Sequence, residues 1–348
     1  MRYNGPFVSL GNTGLKVSRI AFGCGFRGLP DVKDAQKVVE QAMDTGINFI
    51  DCANRYECAN SVKAEVALGN ALKGRRDDFV ITSKVGTPQG NGPNSAGLSR
   101  GHILREVEKS LKRLQTDYID IYLLHIPDEE TGIEETLRAL DTLCTQGKIR
   151  YTGMANYRTW QVVEAMHIQK EINADKLAVV QNPYGLLNRS LERGMFPASR
   201  RYSFGIMAYN VLGAGLLGGK YRKDAPMPEK SFWTNSPLYR AYYPHYFRGQ
   251  PLETEELVRE LSEKYSVPMT AIATSWALTH DEITVVNAGA NTFEQFKDYL
   301  AAYSFTLEEE DIEKLNTVSY GSDEEFLVWS VEKKAKRLGI MYWRVFLT

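Results

Sequence analysis

Only four cysteines occur in the 348 residues, Cys24, Cys52, Cys58 and Cys144. None forms a C-x-x-C pair or stands at the His/Cys spacing of a metal site. Disulfide frameworks and zinc modules are therefore not expected; reduced structural thiols in a cytoplasmic protein are. Neither sign of charge is in excess, with Lys+Arg 42 against Asp+Glu 43 and a net charge of -1. A protein that binds a phosphate backbone needs a basic surface, so nucleic acid is not an expected partner. No apolar run approaches the roughly 20 residues that span a bilayer. Met1 to Leu10 lacks the apolar stretch of a signal peptide, and no membrane partner is expected. There is no internal repeat, no low-complexity tract and no Pro/Ser-rich linker. A single domain over 1–348 is the expectation, with enough chain for a large core.

What is present is an alternation. Short β-rich runs fall at 17–23, 48–53, 79–85, 118–125, 149–155, 177–183, 205–211 and 284–289. Amphipathic helical stretches lie between them, for example 34–45, 101–114, 132–146 and 159–171, and Gly46, Gly74 and Gly147 stand at helix ends. Eight strand–helix cycles predict an α/β fold with a parallel sheet, closed by right-handed crossovers into a (β/α)8 barrel. The barrel core is expected over about 15–318. Asn12-Thr13-Gly14 marks a turn, read as an N-terminal hairpin that caps the barrel floor. Two segments fall outside the alternation. Residues 221–250 are rich in proline and aromatics, Trp233 among them, and the C-terminal extension 319–348 carries Trp329, Tyr342, Trp343 and Phe346. Such aromatics suit a lid over a site or the interface of a homo-oligomer, and the sequence leaves both open.

A competing reading comes from the glycines. Gly23-Cys-Gly25-Phe-Arg-Gly28 follows a strand and precedes a helix, as a dinucleotide fingerprint does, and a second match runs Gly213-Ala-Gly215-Leu-Leu-Gly218. Against the first, Asp31 and Asp34 stand at the expected helix N-terminus, where a pyrophosphate would meet negative charge. The uninterrupted eight-fold alternation favours the barrel over a doubly wound sheet.

In a barrel, four side chains converge. Asp51, Lys84 and His125 close three successive strands, and Tyr56 lies just beyond the first of them. All four then project to the C-terminal mouth, where barrel enzymes place their chemistry. Singly each has a bland reading: a cap, a solvated loop residue, a satisfied core histidine. Together they fit carbonyl reduction. Hydride arriving at a carbonyl carbon leaves charge on its oxygen, which needs a proton donor and an electrostatic partner. Lys84 beside Tyr56 would favour the phenolate, Asp51 would hold Lys84 in place, and His125 would orient the carbonyl oxygen.

At these residues the sequence resembles the aldo/keto reductases, from about Val8 to about Val318. It resembles most the branch that holds bacterial sugar-aldehyde reductases and potassium-channel β subunits. The resemblance rests on LGNTGLKVSRIAFGCG, GINFIDCANRYECANSVKAEVALGNAL, FVITSKVG, DYIDIYLLHIPD, GKIRYTGMANY, VVQNPYGLLNR, GIMAYNVLGAGLLGGKY and NAGANTFEQFKDYLAA. It implies NADPH-dependent reduction of an aldehyde or ketone, sugar-derived carbonyls included, with Asp51, Tyr56, Lys84 and His125 as the catalytic tetrad. It also implies a cofactor site. Asn156 and Gln181 would meet the nicotinamide carboxamide, Tyr209 would stack on its ring, and Gly23 and Cys24 would line its ribose. Asn210, Leu212, Gly215 and Lys220 would cradle the pyrophosphate, so the second glycine match becomes a phosphate loop within a barrel. Gly289, Asn291, Gln295 and Asp298 would clamp the adenosine half. Phe26, Tyr56, His125 and Trp233 are the candidate substrate contacts. No metal is implied.

The chain departs from the family at several of these places. Ala155 and Asn210 stand where serines are frequent, and Tyr299 replaces an asparagine that meets adenine. Asn291 stands where many relatives put a cation against the 2′-phosphate, which keeps NAD open as an alternative cofactor. The loop after Tyr56 is longer and lacks its usual glycine, which brings Cys58 close to the pocket. The alternative function is a nicotinamide-binding regulatory subunit that senses redox state.

Overall fold

The computed structural model describes residues 2–26, 28, 30–222 and 249–319. Trp233, with the rest of 223–248, and the tail 320–348 lie outside the described residues. Phe7–Ser9 (β1) and Lys16–Ser18 (β2) form the expected antiparallel hairpin, in the register Phe7↔Ser18. The Thr13 hydroxyl closes its turn by donating to the Leu10 carbonyl at 2.7 Å.

Eight parallel strands follow: Ile20–Gly23 (β3), Phe49–Asp51 (β4), Val80–Val85 (β5), Ile119–Leu124 (β6), Ile149–Ala155 (β7), Leu177–Pro183 (β8), Gly205–Tyr209 (β9) and Ile283–Gly289 (β10). Each pairs with the next, and β10 returns to β3 through Val286↔Ile20, so the sheet is a closed barrel. Helices pack around it: Val32–Met43 (α1), Ala64–Ala71 (α2), Arg100–Leu114 (α3), Ile133–Thr145 (α4), Thr159–Glu171 (α5) and Met195–Tyr202 (α6). Gln250–Tyr265 (α7) and Met269–Leu278 (α8) precede β10, and Phe293–Leu300 (α9) and Glu309–Val318 (α10) follow it. Gly46 and Gly147 lie just beyond α1 and α4 at φ +97° and +72°, a left-handed conformation that costs glycine least.

One expected strand is two. The run 17–23 is β-rich throughout, but Lys16–Ser18 pairs within the hairpin and Ile20–Gly23 within the barrel. Arg19 makes the joint; its backbone N–H leaves the ladder and donates to the Tyr3 hydroxyl at 2.9 Å. Composition reads the tendency to be extended and is blind to a change of partner.

Successive strand side chains point to opposite faces. Ile20, Phe22, Ile50 and Ile81 therefore pack outward, against Val39, Leu68 and Val107 of the helices. Ala21, Phe49, Val80, Ile121, Val179, Met207 and Val285 fill the interior, where Leu10 and Val17 of the hairpin plug the floor. With both faces buried, the strands read as almost continuous apolar runs. The inward set of positions continues up each strand to Asp51, Thr82, Lys84, His125, Gln181, Tyr209 and Asn287. At the mouth, the alternation that builds the core delivers polar groups.

Candidate active site

Lys84 is wholly buried, and its ammonium has three protons to donate. They meet Asp51 Oδ1 at 2.7 Å, the Cys52 carbonyl at 2.8 Å and the Tyr56 hydroxyl oxygen at 3.3 Å. The phenol oxygen accepts from the ammonium, which directs its own proton away from Lys84. Burial pushes the ammonium pKa down, but the charges of Asp51 and Tyr56 and the hydrogen bond to Asp51 outweigh it, and the value ends raised. Lys84 is a cation at every physiological pH.

Asp51 is also wholly buried. Its Oδ1 accepts from the Thr82 hydroxyl at 2.5 Å and Gln181 Nε2 at 2.9 Å as well as from Lys84. Its Oδ2 accepts from Asn287 Nδ2 at 2.8 Å. A carboxylate out of water is tolerated only with such partners. His125 packs edge to face with Tyr56, ring centroids 5.8 Å apart and nearly perpendicular. The three residues that close neighbouring strands, and Tyr56 in the loop beyond the first of them, thus converge around one opening.

Of the expected cofactor residues, Asn156, Gln181 and Tyr209 stand at this mouth beside the tetrad. Asn156 has a left-handed φ of +66°, which asparagine tolerates better than most residues. Its Nδ2 donates to the His125 carbonyl at 2.8 Å, and its Oδ1 accepts the Tyr209 hydroxyl at 2.6 Å. Tyr209 is half-buried at the end of β9. Asn210, Gly213, Ala214, Gly215 and Gly219 all have positive φ, and the Asn210 side chain holds the turn by accepting from the Ala214 backbone at 2.7 Å. Leu212 is half-buried and Lys220 exposed. The backbone N–H groups from Gly213 to Gly218 are spent within the turn: Gly213, Gly215, Leu216, Leu217 and Gly218 donate to backbone carbonyls and Ala214 to Asn210 Oδ1. The phosphate-loop expectation for this segment then rests on the shape of the turn and on the exposed Lys220 rather than on free N–H groups.

Asn291 bridges two loops. Its Oδ1 accepts from the Gly28 backbone at 3.0 Å, and its own N–H donates to Gln295 Oε1 at 2.8 Å. Gly289 is exposed and Asp298 half-buried beside them, where burial and the neighbouring Glu294 raise the Asp298 carboxyl pKa. Tyr299, which stands in place of the family's adenine-contacting asparagine, is buried on α9. Phe26 is 3% exposed and packs on Phe22 in the layer between strands and helices, so the candidate substrate contact is buried. Cys24 is fully buried, and its N–H donates to the Asp51 carbonyl at 2.8 Å.

The first glycine cluster has no helix N-terminus to offer. The Asp31 carboxylate caps α1, accepting from Lys33 and Asp34 N–H at 2.8 and 3.0 Å. Those two bonds pull the Asp31 pKa down. The thiols Cys24, Cys52 and Cys58 are all buried and gather near the mouth. Burial pushes Cys52 well up, with the neighbouring Cys24 thiol adding to it, and raises Cys58 to about 11.

Thr82 and Asn287 were not among the expected site residues. For Thr82 a signal existed, since it precedes Lys84 by two and shares its inward face. For Asn287 the signal was an amide inside an otherwise apolar strand.

The sequence profile of the aldo/keto reductase family matches residues 20–319. The chain is 34% identical over 324 residues to an uncharacterised oxidoreductase of Bacillus subtilis, which covers 90% of this chain and 96% of that protein. It is 31% identical over 304 residues to a probable voltage-gated potassium channel subunit beta of Arabidopsis thaliana, covering 85% of this chain and 90% of that one. It is 29% identical over 324 residues to an L-glyceraldehyde 3-phosphate reductase of Escherichia coli, covering 90% and 88%.

Proposed function

Since the chain belongs to the aldo/keto reductase family of nicotinamide-dependent oxidoreductases, we propose that it reduces an aldehyde or ketone with NADPH and that Tyr56 supplies the proton. The observation that carries this reading is the buried chain Asp51–Lys84–Tyr56, with every ammonium proton committed. An unperturbed phenol has a pKa near 10. A cation donating to its oxygen stabilises the phenolate and makes the proton easier to release. Asp51 fixes the ammonium where burial keeps bulk water from doing so. His125 bounds the opening beside Tyr56 and orients the carbonyl oxygen toward it, which lowers the entropy of reaching the reactive geometry.

The fit of a nicotinamide cofactor rests on groups already in place. Asn156 and Gln181 offer amides for the carboxamide, Tyr209 a ring face at the mouth, and the tight turn 210–219, with positive φ at Asn210, Gly213, Ala214, Gly215 and Gly219, a bend for the pyrophosphate. Lys220, exposed at the end of that turn, adds a cation. Gly289, Asn291, Gln295 and Asp298 would meet the adenosine half, as the family resemblance implies. When bound, the cofactor supplies the hydride. The chain's own residues bind it, seat the carbonyl under Tyr56 and His125, and return a proton to the nascent alkoxide.

The test is turnover of NADPH and NADH, followed by absorbance, with a panel of sugar-derived, aromatic and short-chain carbonyls. Many turnovers per site with at least one class are expected, and absence of turnover with all of them and both cofactors would sink the reading. A second reading, a nicotinamide-binding regulatory subunit, is favoured by the likeness to the channel β subunit. It predicts tight cofactor binding with at most a slow single oxidation, so the same assay separates the two.

A further inference from the structure

Asp51 Oδ1 is crowded and Oδ2 is not. Thr82, Lys84 and Gln181 all donate to Oδ1, whereas the donor to Oδ2 is Asn287 Nδ2 at 2.8 Å. Asn287 lies on β10 and Asp51 on β4, so the bond crosses over β3, the strand between them. It can do so because the inward position of β3 at that level is Gly23: a Cβ there would come within 2.8 Å of Asn287 Oδ1. That oxygen is buried and has no hydrogen-bond partner among the described residues. An amide buried with one end orphaned is retained at a cost, and the satisfied end is the one on the carboxylate. The opposite flip would set the amide oxygen against the anion, so the assignment of Nδ2 is secure on electrostatic grounds.

We propose that Asn287 is a positioning residue for the proton-delivery chain: its amide holds the second oxygen of Asp51 and thereby sets how much of the carboxylate's charge acts on Lys84. This rests on the reading of Asp51, Lys84 and Tyr56 given above. Without the amide, the charge on Oδ2 is unmet and turns toward the nearest cation. Lys84 then serves Asp51 more and Tyr56 less. The phenol becomes a weaker acid, and its titration moves to higher pH. The titratable groups packed around Asp51 include Lys84 from β5, Tyr56 from the loop after β4, His125 beyond β6 and the buried Cys24 and Cys52 thiols, with Glu65 of α2 within electrostatic reach of Cys52. None of them replaces an N–H on Oδ2.

Two isosteric variants test this. Asn287→Leu removes the donor and keeps the volume. Asn287→Asp puts an acid where the amide was, and two carboxylate oxygens at that separation cannot both be ionised. When protonated, the introduced acid donates to Asp51 as the amide does; when ionised, it repels Asp51. For Asn287→Leu, kcat of carbonyl reduction should fall between about tenfold and about a hundredfold, the range for losing a hydrogen bond to a charged group. Its alkaline limb should move up, and the Kd for the reduced cofactor should stay near the parent's. For Asn287→Asp, kcat should recover as pH falls, which Asn287→Leu does not do. Folding of each variant is checked by circular dichroism and thermal melting, and Tyr56→Phe is run alongside. A parent-like pH profile and kcat in folded Asn287→Leu, with Tyr56→Phe inactive, overturns the role of Asn287 alone. An active Tyr56→Phe overturns the proton-delivery reading on which it stands. An Asn287→Asp variant without acid recovery also overturns the proposal.

Discussion

Replacing Lys84 with methionine keeps most of the stem's volume and deletes the ammonium. In the parent that ammonium is fully buried and donates to Asp51 Oδ1, the Cys52 carbonyl and the Tyr56 oxygen. Removing one partner of a buried ion pair typically costs about 3–5 kcal/mol, because the other charge is left unpaired. Here Thr82, Gln181 and Asn287 still donate to Asp51. They place the loss at the lower end, about 3 kcal/mol. A midpoint measured by urea unfolding at neutral pH should fall accordingly. The activity loss should be larger in relative terms. A charged donor aimed at a reacting oxygen in a dry site is worth about a hundredfold to a thousandfold in rate, so kcat should drop by at least that much while the cofactor still binds.

The pH dependence gives a separate check. The Lys84 pKa is raised in the folded protein above its ordinary value, and an unfolded lysine titrates near 10.4. The stabilisation from Lys84 is therefore complete below about pH 10.4 and is lost as pH rises through the higher folded value. Parent and Lys84→Met should differ by a constant amount across the neutral range and converge in strong alkali. Equal stability of parent and variant at pH 7, or a gap that widens above about pH 11, would refute the placement of this cation as a buried partner of Asp51.

Tyr56→Phe should leave cofactor affinity close to the parent's and lower kcat by orders of magnitude, since only the proton donor is lost; parent-like turnover contradicts the assignment. Asn291→Arg should shift the ratio of kcat/KM values toward NADPH over NADH by placing a charge at the adenosine end. It also removes the bond from Gly28 to Asn291 Oδ1, so KM for both cofactors should rise, and an unchanged preference argues against this placement of the clamp. The four cysteines should be silent in the native protein: Cys24, Cys52 and Cys58 are buried, and burial with nearby carboxylates raises Cys144 to about 12. An aromatic disulfide reagent at about pH 8 should release well under one equivalent per chain before denaturation, since the thiolate is the reactive form. Rapid native labelling would show an accessible, activated thiol.

The barrel and the four mouth residues were legible because they depend on short-range rules. Period-two alternation inside a fully buried strand leaves a charged residue only at its end, so Asp51, Lys84 and His125 stood out against the apolar runs they close. Helix ends were legible through Gly46 and Gly147, where backbone conformation selects the residue. The joint at Arg19 was not, because hairpin strand and barrel strand share one composition.

The link from Asn287 to Asp51 depends on closure, which no local pattern carries. The two residues are 236 positions apart, and they meet only because β10 hydrogen-bonds back to β3. In an open sheet of the same strands, β10 would lie at the far edge and Asn287 would be an unsupported amide in an apolar strand. The glycine at 23 carries the same dependence. Within a doubly wound sheet it would make room for a pyrophosphate; in the closed barrel it makes room for an amide crossing to a carboxylate. Gly23→Ala therefore distinguishes the two architectures by where its damage falls. In the barrel, the added methyl meets Asn287 Oδ1 at 2.8 Å, and the harm should appear in kcat and its pH profile before it appears in cofactor affinity.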